Sequence, residues 1–259
     1  MERFLLALCG IPSSGKTTLA RAIKDHLMKV IKAEIVSTDR WRDEEFYSDF
    51  KPEKEHRVRR EALERTRRLV QGGISVIHDD TNYYASMRHE LFDIAKHNKT
   101  AFAVVHVSTP IEYAIQWNLN REKPVPDKVI EKIAKRFDIP GSKYAWDKPI
   151  ASYNLMEDDP RESALEIVER LETLVAISDE THSSDKSMED LLDTITRQVV
   201  NHYLDGNPSM RQNPLVSKER RSLLTIAKEQ GLSPLETEQR LEAILLELEF
   251  RAKDREANE

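Results

Sequence analysis

The feature that most constrains the fold of this chain is the stretch GIPSSGKTT, residues 10–18. It follows the apolar run RFLLALC (3–9) and precedes Leu19, Ile23 and Leu27, which stand at helical spacing. The stretch fits the pattern G-x-x-x-x-G-K-[ST] between a strand and a helix, where that pattern forms a phosphate-binding loop. Backbone N–H groups of such a loop and of the following helix bind phosphate oxygens. We therefore expect the chain to bind a nucleoside triphosphate.

Each polar residue of this loop has an expected role. Lys16 is expected to reach the β- and γ-phosphates, and Thr17 to place its hydroxyl on Mg²⁺. The predicted cofactors are therefore ATP and Mg²⁺. The predicted nucleotide-binding residues are Gly10, Ser13, Ser14, Gly15, Lys16, Thr17 and Thr18.

Apolar runs alternate with helical periodicity over roughly the first two thirds of the chain. Strands are predicted at 3–9, 34–38, 74–79, 100–107 and 150–155. Helices are predicted at 16–30, 53–71, 84–97, 110–120, 127–137 and 160–174. Nearly continuous apolar strands between helices indicate an α/β fold, a P-loop NTPase-type parallel sheet with helices on both faces.

The C-terminal part of the chain has a different pattern. The stretch AISDETHSSDKS (176–187) has almost no large apolar residues and is predicted to be a linker. Only helical periodicity follows it, with Ser217 as one candidate cap and SPLE (233–236) as a capping-box signal. The predicted organisation is a P-loop domain at 1–175 and a small all-α domain at 188–259.

Composition excludes several classes of protein. The chain has 40 Lys and Arg against 46 Asp and Glu, a net charge of −6, so any contact with nucleic acid must be local. The longest apolar runs are far shorter than the ~20 residues that span a bilayer, so no membrane segment is expected. The chain enters a strand-like run at once, and Cys9 is its one cysteine, so a reducing, cytoplasmic setting without disulfides is predicted. Cys9 itself is interpreted as a core residue.

Asp39 follows the second predicted strand, in the sequence STDRWRDEEF. A carboxylate at this edge of the sheet is suited to accept a proton from an acceptor hydroxyl, as a kinase base does. The alternative is that Thr38 or Asp39 only caps the next helix. Arg42, three residues later, is either a phosphate contact or a surface partner of Asp43 or Glu45.

Two adjacent acids, Asp79 and Asp80, end the third predicted strand in the sequence ISVIHDDTNYY. P-loop proteins place the acid that holds Mg²⁺ at this position. Both are therefore candidate metal-side residues, with Asp79 predicted nearer the metal and Asp80 nearer the substrate loop. Asn82 is a candidate helix cap, and the tyrosines that follow either stack on a base or cover the sheet edge.

A candidate lid lies in WNLNREKPVP, residues 117–126. Arg121 is placed there to reach over the phosphates and stabilise charge during transfer. The alternative interpretation is a solvated arginine beside Glu122. Lys16, Asp39, Arg42 and Arg121 are thus the candidate catalytic residues.

Together with GIPSSGKTT and Asp39, the stretches DDTNYYASMRHEL and VPDKVIEKIAKRFDIPGSKYAWDKP (125–149) resemble the O-phosphoseryl-tRNA(Sec) kinase family. The resemblance extends through the linker into the helical C-terminal region. It implies phosphorylation of serine esterified to selenocysteine tRNA, with Asp39 as base and Arg42 beside the phosphates. In that family the lid carries two arginines four residues apart, whereas this chain has Trp117 at the first position and Arg121 at the second.

The same resemblance implies that the C-terminal domain binds tRNA. The candidate residues are Arg211, Lys218, Arg220 and Arg221. A second basic run, HRVRREALERTRR (56–68), also contains glutamates and is interpreted as a salt-bridged, solvated helix face.

Two alternative functions and the oligomeric state remain open at this point. A Kti12-like P-loop ATPase that responds to tRNA and regulates tRNA modification shares the P-loop and a similar segment after the third strand. A small-molecule kinase is the other enzyme class, although the added helical domain disfavours it. A homodimer is also possible.

Overall fold

The computed structural model of the protein describes residues 1–28, 30–42, 52–177 and 188–256. The chain divides into two compact units, Met1–Ser183 and Ser184–Glu259. Most of the predicted linker, and Asp43 and Glu45 as predicted partners of Arg42, lie outside the described residues.

The N-terminal unit is built on five parallel strands, β1 (Phe4–Cys9), β2 (Ala33–Ser37), β3 (Ser75–Asp79), β4 (Ala101–Val107) and β5 (Ala151–Tyr153). Their order across the sheet is β2-β3-β1-β4-β5, and every neighbouring pair is parallel. The carboxyl ends of all five strands therefore lie at one edge of the sheet. At that edge the phosphate loop follows β1, Thr38 follows β2 and Asp80 follows β3.

Helices connect these strands. They are α1 (Lys16–Leu27), α2 (Pro52–Gln71), α3 (Ala85–His97), α4 (Ile111–Asn118), α5 (Asp127–Lys135) and α6 (Pro160–Glu172). A single 3₁₀ turn, Thr38–Trp41, follows β2. Thr38 and Asp39 lie inside this turn, and residues 43–51 after it lie outside the described residues, so the alternative that either caps the next helix stays a prediction.

The core lies on both faces of the sheet, and β1 divides it by alternation. Leu6 and Leu8 pack on one side with α1 and α6, while Leu5 and Ala7 pack on the other side with α2 and α3. A strand buried on both faces reads as a continuous apolar run because neither side meets water. The predicted α/β class with helices on both faces is confirmed.

Some boundaries differ from the sequence prediction. Helix α1 ends at Leu27 rather than residue 30, and α4 ends at Asn118 rather than residue 120. Asn82 does not cap α3; its side-chain amide donates instead to the backbone oxygen of Leu8, at 2.7 Å. This bond gives the buried carbonyl near the end of β1 a hydrogen-bond partner. The Asn82 amide therefore serves β1 and does not cap α3.

The C-terminal unit is helical, with α7 (Met188–Gly206), the 3₁₀ turn Pro208–Gln212, α8 (Pro214–Gln230) and α9 (Pro234–Glu256). Its core contains Val199, Met210, Val216, Leu223, Leu241, Leu245 and Leu248. Helix α8 begins earlier than predicted: Asn213 caps it with Pro214 at its first position, so Ser217 lies inside the helix. The capping box before α9 is confirmed, with Ser233 Oγ accepting from the Glu236 N–H at 3.2 Å.

Candidate active site

The phosphate loop turns sharply from β1 into α1, and its two glycines are required by close contacts. A Cβ on Gly10 would lie 2.6 Å from the backbone oxygen of Val107. Gly15 has a φ of +96°, and a Cβ there would lie 2.7 Å from Leu155 Cδ1. Since a larger residue fits neither position, the loop backbone is held close to β4 and to Leu155. All the predicted nucleotide-binding residues lie in this loop or in the first turn of α1.

Lys16 is buried beneath the loop that it is predicted to serve. Its Nζ donates to the backbone oxygens of Gly10, at 3.0 Å, and Ile11, at 2.7 Å. Burial lowers the pKa of Lys16, and the carboxylates of Asp79, Asp80 and Asp39 oppose that shift. The third partner of Lys16 Nζ is the Ser14 hydroxyl, at 3.4 Å. An ammonium whose hydrogen bonds go to neutral oxygens is suited to exchange them for anionic phosphate oxygens.

Thr17 and Asp79 meet at the start of α1. The Thr17 hydroxyl donates to Asp79 Oδ2 at 2.7 Å, and Asp79 is 3% exposed. Burial raises the pKa of Asp79, partly offset by Lys16 and by hydrogen bonds from Thr17 and Ser37.

These oxygen donors fit Mg²⁺, which prefers hard ligands and is usually held by few protein groups together with phosphates and water. The described part of the chain contains no group of three His, Cys, Asp or Glu able to hold a metal ion. Thr17 and Asp79 are the residues that would hold the ion.

Asp80 faces a different set of groups from its neighbour. Its Oδ1 accepts from Thr38 Oγ1 at 3.0 Å and from the Thr81 N–H at 2.8 Å, and its Oδ2 accepts from Arg59 Nη1 at 3.3 Å. Burial alone would raise the pKa of Asp80, but Arg42 and Arg59 together hold that pKa below its usual range. The two acids therefore have different partners, and their assignment to the metal side stays a prediction. Successive strand-end residues point to opposite sides, and only Asp79 bonds to Thr17.

Asp39 stands between two arginines. Its Oδ1 accepts from Arg42 Nη1 at 2.8 Å, and its Oδ2 accepts from Arg121 Nη2 at 2.9 Å. Arg121 also donates to Ser13 Oγ, at 3.3 Å, so the predicted lid arginine joins the phosphate loop to the predicted base. Arg42 further contacts Glu55 of α2 and the Thr38 hydroxyl. The structure thus brings the candidate catalytic residues together at one edge of the sheet.

Asn118 fastens the predicted lid segment, and this contact was not predicted from the sequence. The residue is 1% exposed and ends α4. Its side chain donates to the Val125 carbonyl at 2.6 Å, accepts from the Val125 N–H at 2.9 Å and accepts from Ser13 Oγ at 3.1 Å. These bonds close the segment that carries Arg121 and fasten it to the phosphate loop. The available signal was its place three residues before Arg121 in NLNR.

Trp117, at the position expected for a first lid arginine, packs against the core cluster that includes α1 and β1. It therefore contributes apolar contact rather than charge. Arg121 supplies the lid contact to Asp39 and Ser13.

The two sequence signatures quoted above are joined by a buried ion pair. Arg88 of α3 donates to Asp147 Oδ2 through Nε, at 2.9 Å, and Nη2, at 2.6 Å. The two side chains are 1% and 2% exposed. Arg88 Nη1 also donates to the backbone oxygen of Asn82 at 2.8 Å. The stretches DDTNYYASMR and KYAWD are thus joined in this structure by the buried Arg88–Asp147 pair.

The predicted tRNA-binding cluster is partly neutralised within its own unit. Arg220 is ion-paired with Asp193 and half-buried, and Arg211 pairs with Asp205 at 3.2 Å. Lys218 and Arg221 are exposed and stand three residues apart on α8. They consequently share one helix face.

The second basic run forms part of α2. Arg67 and Arg68 pair with Glu64 on its exposed face, as interpreted from the sequence. Arg59 differs: it is 3% exposed and contacts Asp80, so this part of the interpretation is wrong. Arg59 stands among other arginines in the sequence, which gave little sign that it is buried.

Strand order, the phosphate loop and the Thr17–Asp79 pair together define a P-loop nucleotide-binding fold of the kinase type. The family model described as chromatin associated protein KTI12 matches residues 4–241. The chain therefore belongs to the KTI12 family.

Individual relatives agree with this assignment. The chain is 33% identical to the L-seryl-tRNA(Sec) kinase of Methanococcus maripaludis over 86% of this chain and 90% of that protein. It is 32% identical to the KTI12 homolog of Xenopus laevis over 61% of this chain and 58% of that protein. The structure of Chaetomium thermophilum Kti12 in complex with ADP-AlF3 matches with a TM-score of 0.52 and 23% identity, covering 67% of this chain and all (100%) of that one. At that identity the structural match shows the fold.

Among the helices that the structure describes, none has the length and apolarity needed to cross a membrane.

Proposed function

We propose that this chain is an ATP-dependent kinase that transfers the γ-phosphate of ATP to the serine hydroxyl of seryl-tRNA(Sec). The product is O-phosphoseryl-tRNA(Sec), a precursor for selenocysteine. The observation that carries the proposal is the position of Asp39, whose carboxylate is bonded to Arg121 while Arg121 also contacts Ser13 of the phosphate loop. A carboxylate beside the loop is what transfer to a hydroxyl requires and what nucleotide binding alone does not.

The extent of the sequence match supports this substrate class. The match to the M. maripaludis enzyme spans 90% of that protein, whereas the match to the X. laevis KTI12 homolog spans 58% of that protein. A match of that extent includes helices of the C-terminal unit, which we propose to be the tRNA-binding domain.

The residues at the site divide the reaction among them. Lys16 Nζ exchanges its bonds to the Gly10 and Ile11 carbonyls for phosphate oxygens. Arg121 exchanges a bond to Asp39 for the transferring group, which places positive charge where negative charge develops. Asp39 then accepts the proton of the serine hydroxyl, while Arg42 holds its other oxygen. Mg²⁺, when bound beside Thr17 and Asp79, neutralises phosphate charge.

The deciding experiment follows γ-labelled ATP with seryl-tRNA(Sec) as acceptor. We expect label on the aminoacyl serine, recovered as phosphoserine after mild deacylation. Asp39→Asn should lower that rate by about 10²–10⁴-fold, the usual contribution of a general base. Glu34→Gln is the matched control: Glu34 lies on β2, the strand before Asp39, and pairs with Lys24.

The second candidate function is a tRNA-stimulated ATPase of the Kti12 type that regulates tRNA modification. The family model and the KTI12 homologs favour it. The same assay separates the two functions, because an ATPase releases the label as free phosphate and leaves serine unlabelled. That outcome would refute the kinase proposal.

The proposed tRNA contact is tested in the same assay. Because Arg220 and Arg211 are paired with acids, the test uses the exposed residues Lys218 and Arg221. Lys218→Ala with Arg221→Ala should raise KM for tRNA and leave KM for ATP nearly unchanged. An equal rise in both KM values would contradict a tRNA contact on this face of α8.

A further inference from the structure

A continuous series of polar contacts runs from the buried Arg59 on α2 to Asp39. Arg59 Nη1 donates to Asp80 Oδ2 at 3.3 Å, and Asp80 Oδ1 accepts from Thr38 Oγ1 at 3.0 Å. The Thr38 oxygen accepts in turn from Arg42 Nη1, at 3.0 Å. The same Arg42 nitrogen donates to Asp39 Oδ1, at 2.8 Å.

Arg59 is fixed at the far end of this series. Its Nη2 donates to the backbone oxygen of Met87 at 3.0 Å and to Glu90 Oε2 at 3.2 Å, both on α3. Its side chain is 4% exposed. A buried guanidinium with three partners in different directions has little freedom, so its position is transmitted to Asp80.

Thr38 is the point where the series reaches the strand edge. It is 2% exposed, and its hydroxyl donates to Asp80 while accepting from Arg42. A hydroxyl that both donates and accepts has a fixed orientation. Thr38 is followed directly by Asp39, so the orientation of this turn also sets the backbone from which the Asp39 carboxylate extends.

We propose that Arg59 is a positioning residue for phosphoryl transfer, holding Asp80 so that Thr38 and Arg42 in turn hold Asp39 in its reacting geometry. This rests on the proposed function, since it assigns Asp39 the role of base. Arg59 touches neither nucleotide nor acceptor in this role, and it acts only through Asp80.

The expected effects follow from the two properties that Arg59 supplies, direction and charge. Arg59→Lys keeps the charge but loses the second and third contacts of the fork, so Asp80 is less firmly held. Arg59→Met also leaves a buried carboxylate with one arginine fewer near it.

The experiment measures kcat, KM for ATP and the urea midpoint of the full-length chain. Arg59→Lys should lower kcat about tenfold or more while changing KM for ATP less than about twofold, since small misplacements of reacting groups cost up to about 10²-fold. Arg59→Met should lower kcat further. Arg67→Met on the exposed face of the same helix should leave kcat and KM unchanged and have only a small effect on the urea midpoint.

A double variant separates positioning from folding. Asp80→Asn removes the buried negative charge, so Arg59→Met with Asp80→Asn should recover stability lost by Arg59→Met, while kcat stays low because Asp80 is no longer held by Arg59. A purely structural role would lower the urea midpoint of the Arg59 variants but leave kcat at the wild-type value in the folded fraction. That result, or equal changes in kcat and KM for ATP, would overturn the proposal.

Failure of the proposed function is visible separately. If the wild-type chain releases free phosphate and labels no serine, the kinase proposal fails, and the same variants are then compared by their rate of ATP hydrolysis. An unchanged kcat for hydrolysis in Arg59→Lys and Arg59→Met would refute the positioning role in that case as well.

Discussion

Replacing Asp147 with asparagine should lower the free energy of unfolding of the N-terminal unit by about 3–5 kcal/mol. The value follows from burial and geometry. Arg88 and Asp147 are 1% and 2% exposed and are joined by two bonds of 2.9 and 2.6 Å to a single carboxylate oxygen. The other Asp147 oxygen accepts from the Gly141 N–H at 2.9 Å. Removal of the negative charge leaves a guanidinium without compensation in the interior, which is the most costly way to break such a pair.

Urea unfolding followed by tryptophan fluorescence measures this change directly, because Trp146 adjoins Asp147 in the sequence and stacks near Tyr144. The control is Glu64→Gln, which breaks the exposed pairs with Arg67 and Arg68 on α2. Those side chains are 45–63% exposed, so this change should cost less than about 1 kcal/mol.

A second variant tests the reason for the loss. Arg88→Met with Asp147→Leu removes both charges and fills similar volume, so it should be less destabilising than Asp147→Asn alone. If Asp147→Asn lowers the free energy of unfolding no more than Glu64→Gln does, the reasoning is refuted, because the Arg88–Asp147 pair then does not stabilise the contact between α3 and the segment that carries Asp147. If the double variant is less stable than Asp147→Asn, the attraction within the ion pair stabilises the fold by more than the desolvation of its charges costs.

Two further predictions concern the lid and the pH dependence of stability. Asn118→Leu should lower kcat about 10–100-fold in steady-state assays, because it releases the Val125 backbone and Ser13 and so misplaces Arg121. The control is Leu119→Ala, a change at the exposed neighbouring residue. An unchanged kcat in Asn118→Leu would contradict the proposal that Asn118 positions Arg121. Burial lowers the pKa of His78 from 6.5 to about 4, so the unfolded state binds more protons between these values. The free energy of unfolding should therefore fall by up to about 3 kcal/mol as pH falls from about 6.5 towards 4. If the urea midpoint of His78→Gln falls with pH as steeply as that of the wild type, His78 is not the cause.

Much of the fold was predictable because the signals were local. The continuous apolar run of β1 and the helical spacing after Lys16 each report their own environment within one element. The capping box at Ser233 is likewise complete within four residues. The start of α8 was missed because Asn213 with Pro214 and Ser217 are both capping signals, and in the structure it is the Asn213 side chain that accepts from the Leu215 N–H.

The candidate site was less predictable, since its parts meet through the fold. Asp39 and Arg121 are 82 positions apart in the chain yet are bonded at 2.9 Å. Sequence alone placed both near the phosphates by analogy with other P-loop proteins. The sequence gave no signal for Arg59, because a helix with six arginines is expected to be solvent-exposed. The burial of one of them against α3 is visible only in the folded structure.

The division of labour between Asp79 and Asp80 follows from their being adjacent in a strand. Neighbouring side chains at a strand end point to opposite faces, so one position reaches α1 and the other reaches α2. Asp79 accordingly meets the Thr17 hydroxyl, and Asp80 meets Arg59. An adjacent pair of acids can therefore serve two linked purposes without repelling each other at one site. The first is suited to hold the metal, while the second keeps Thr38, and with it the turn that carries Asp39, in place.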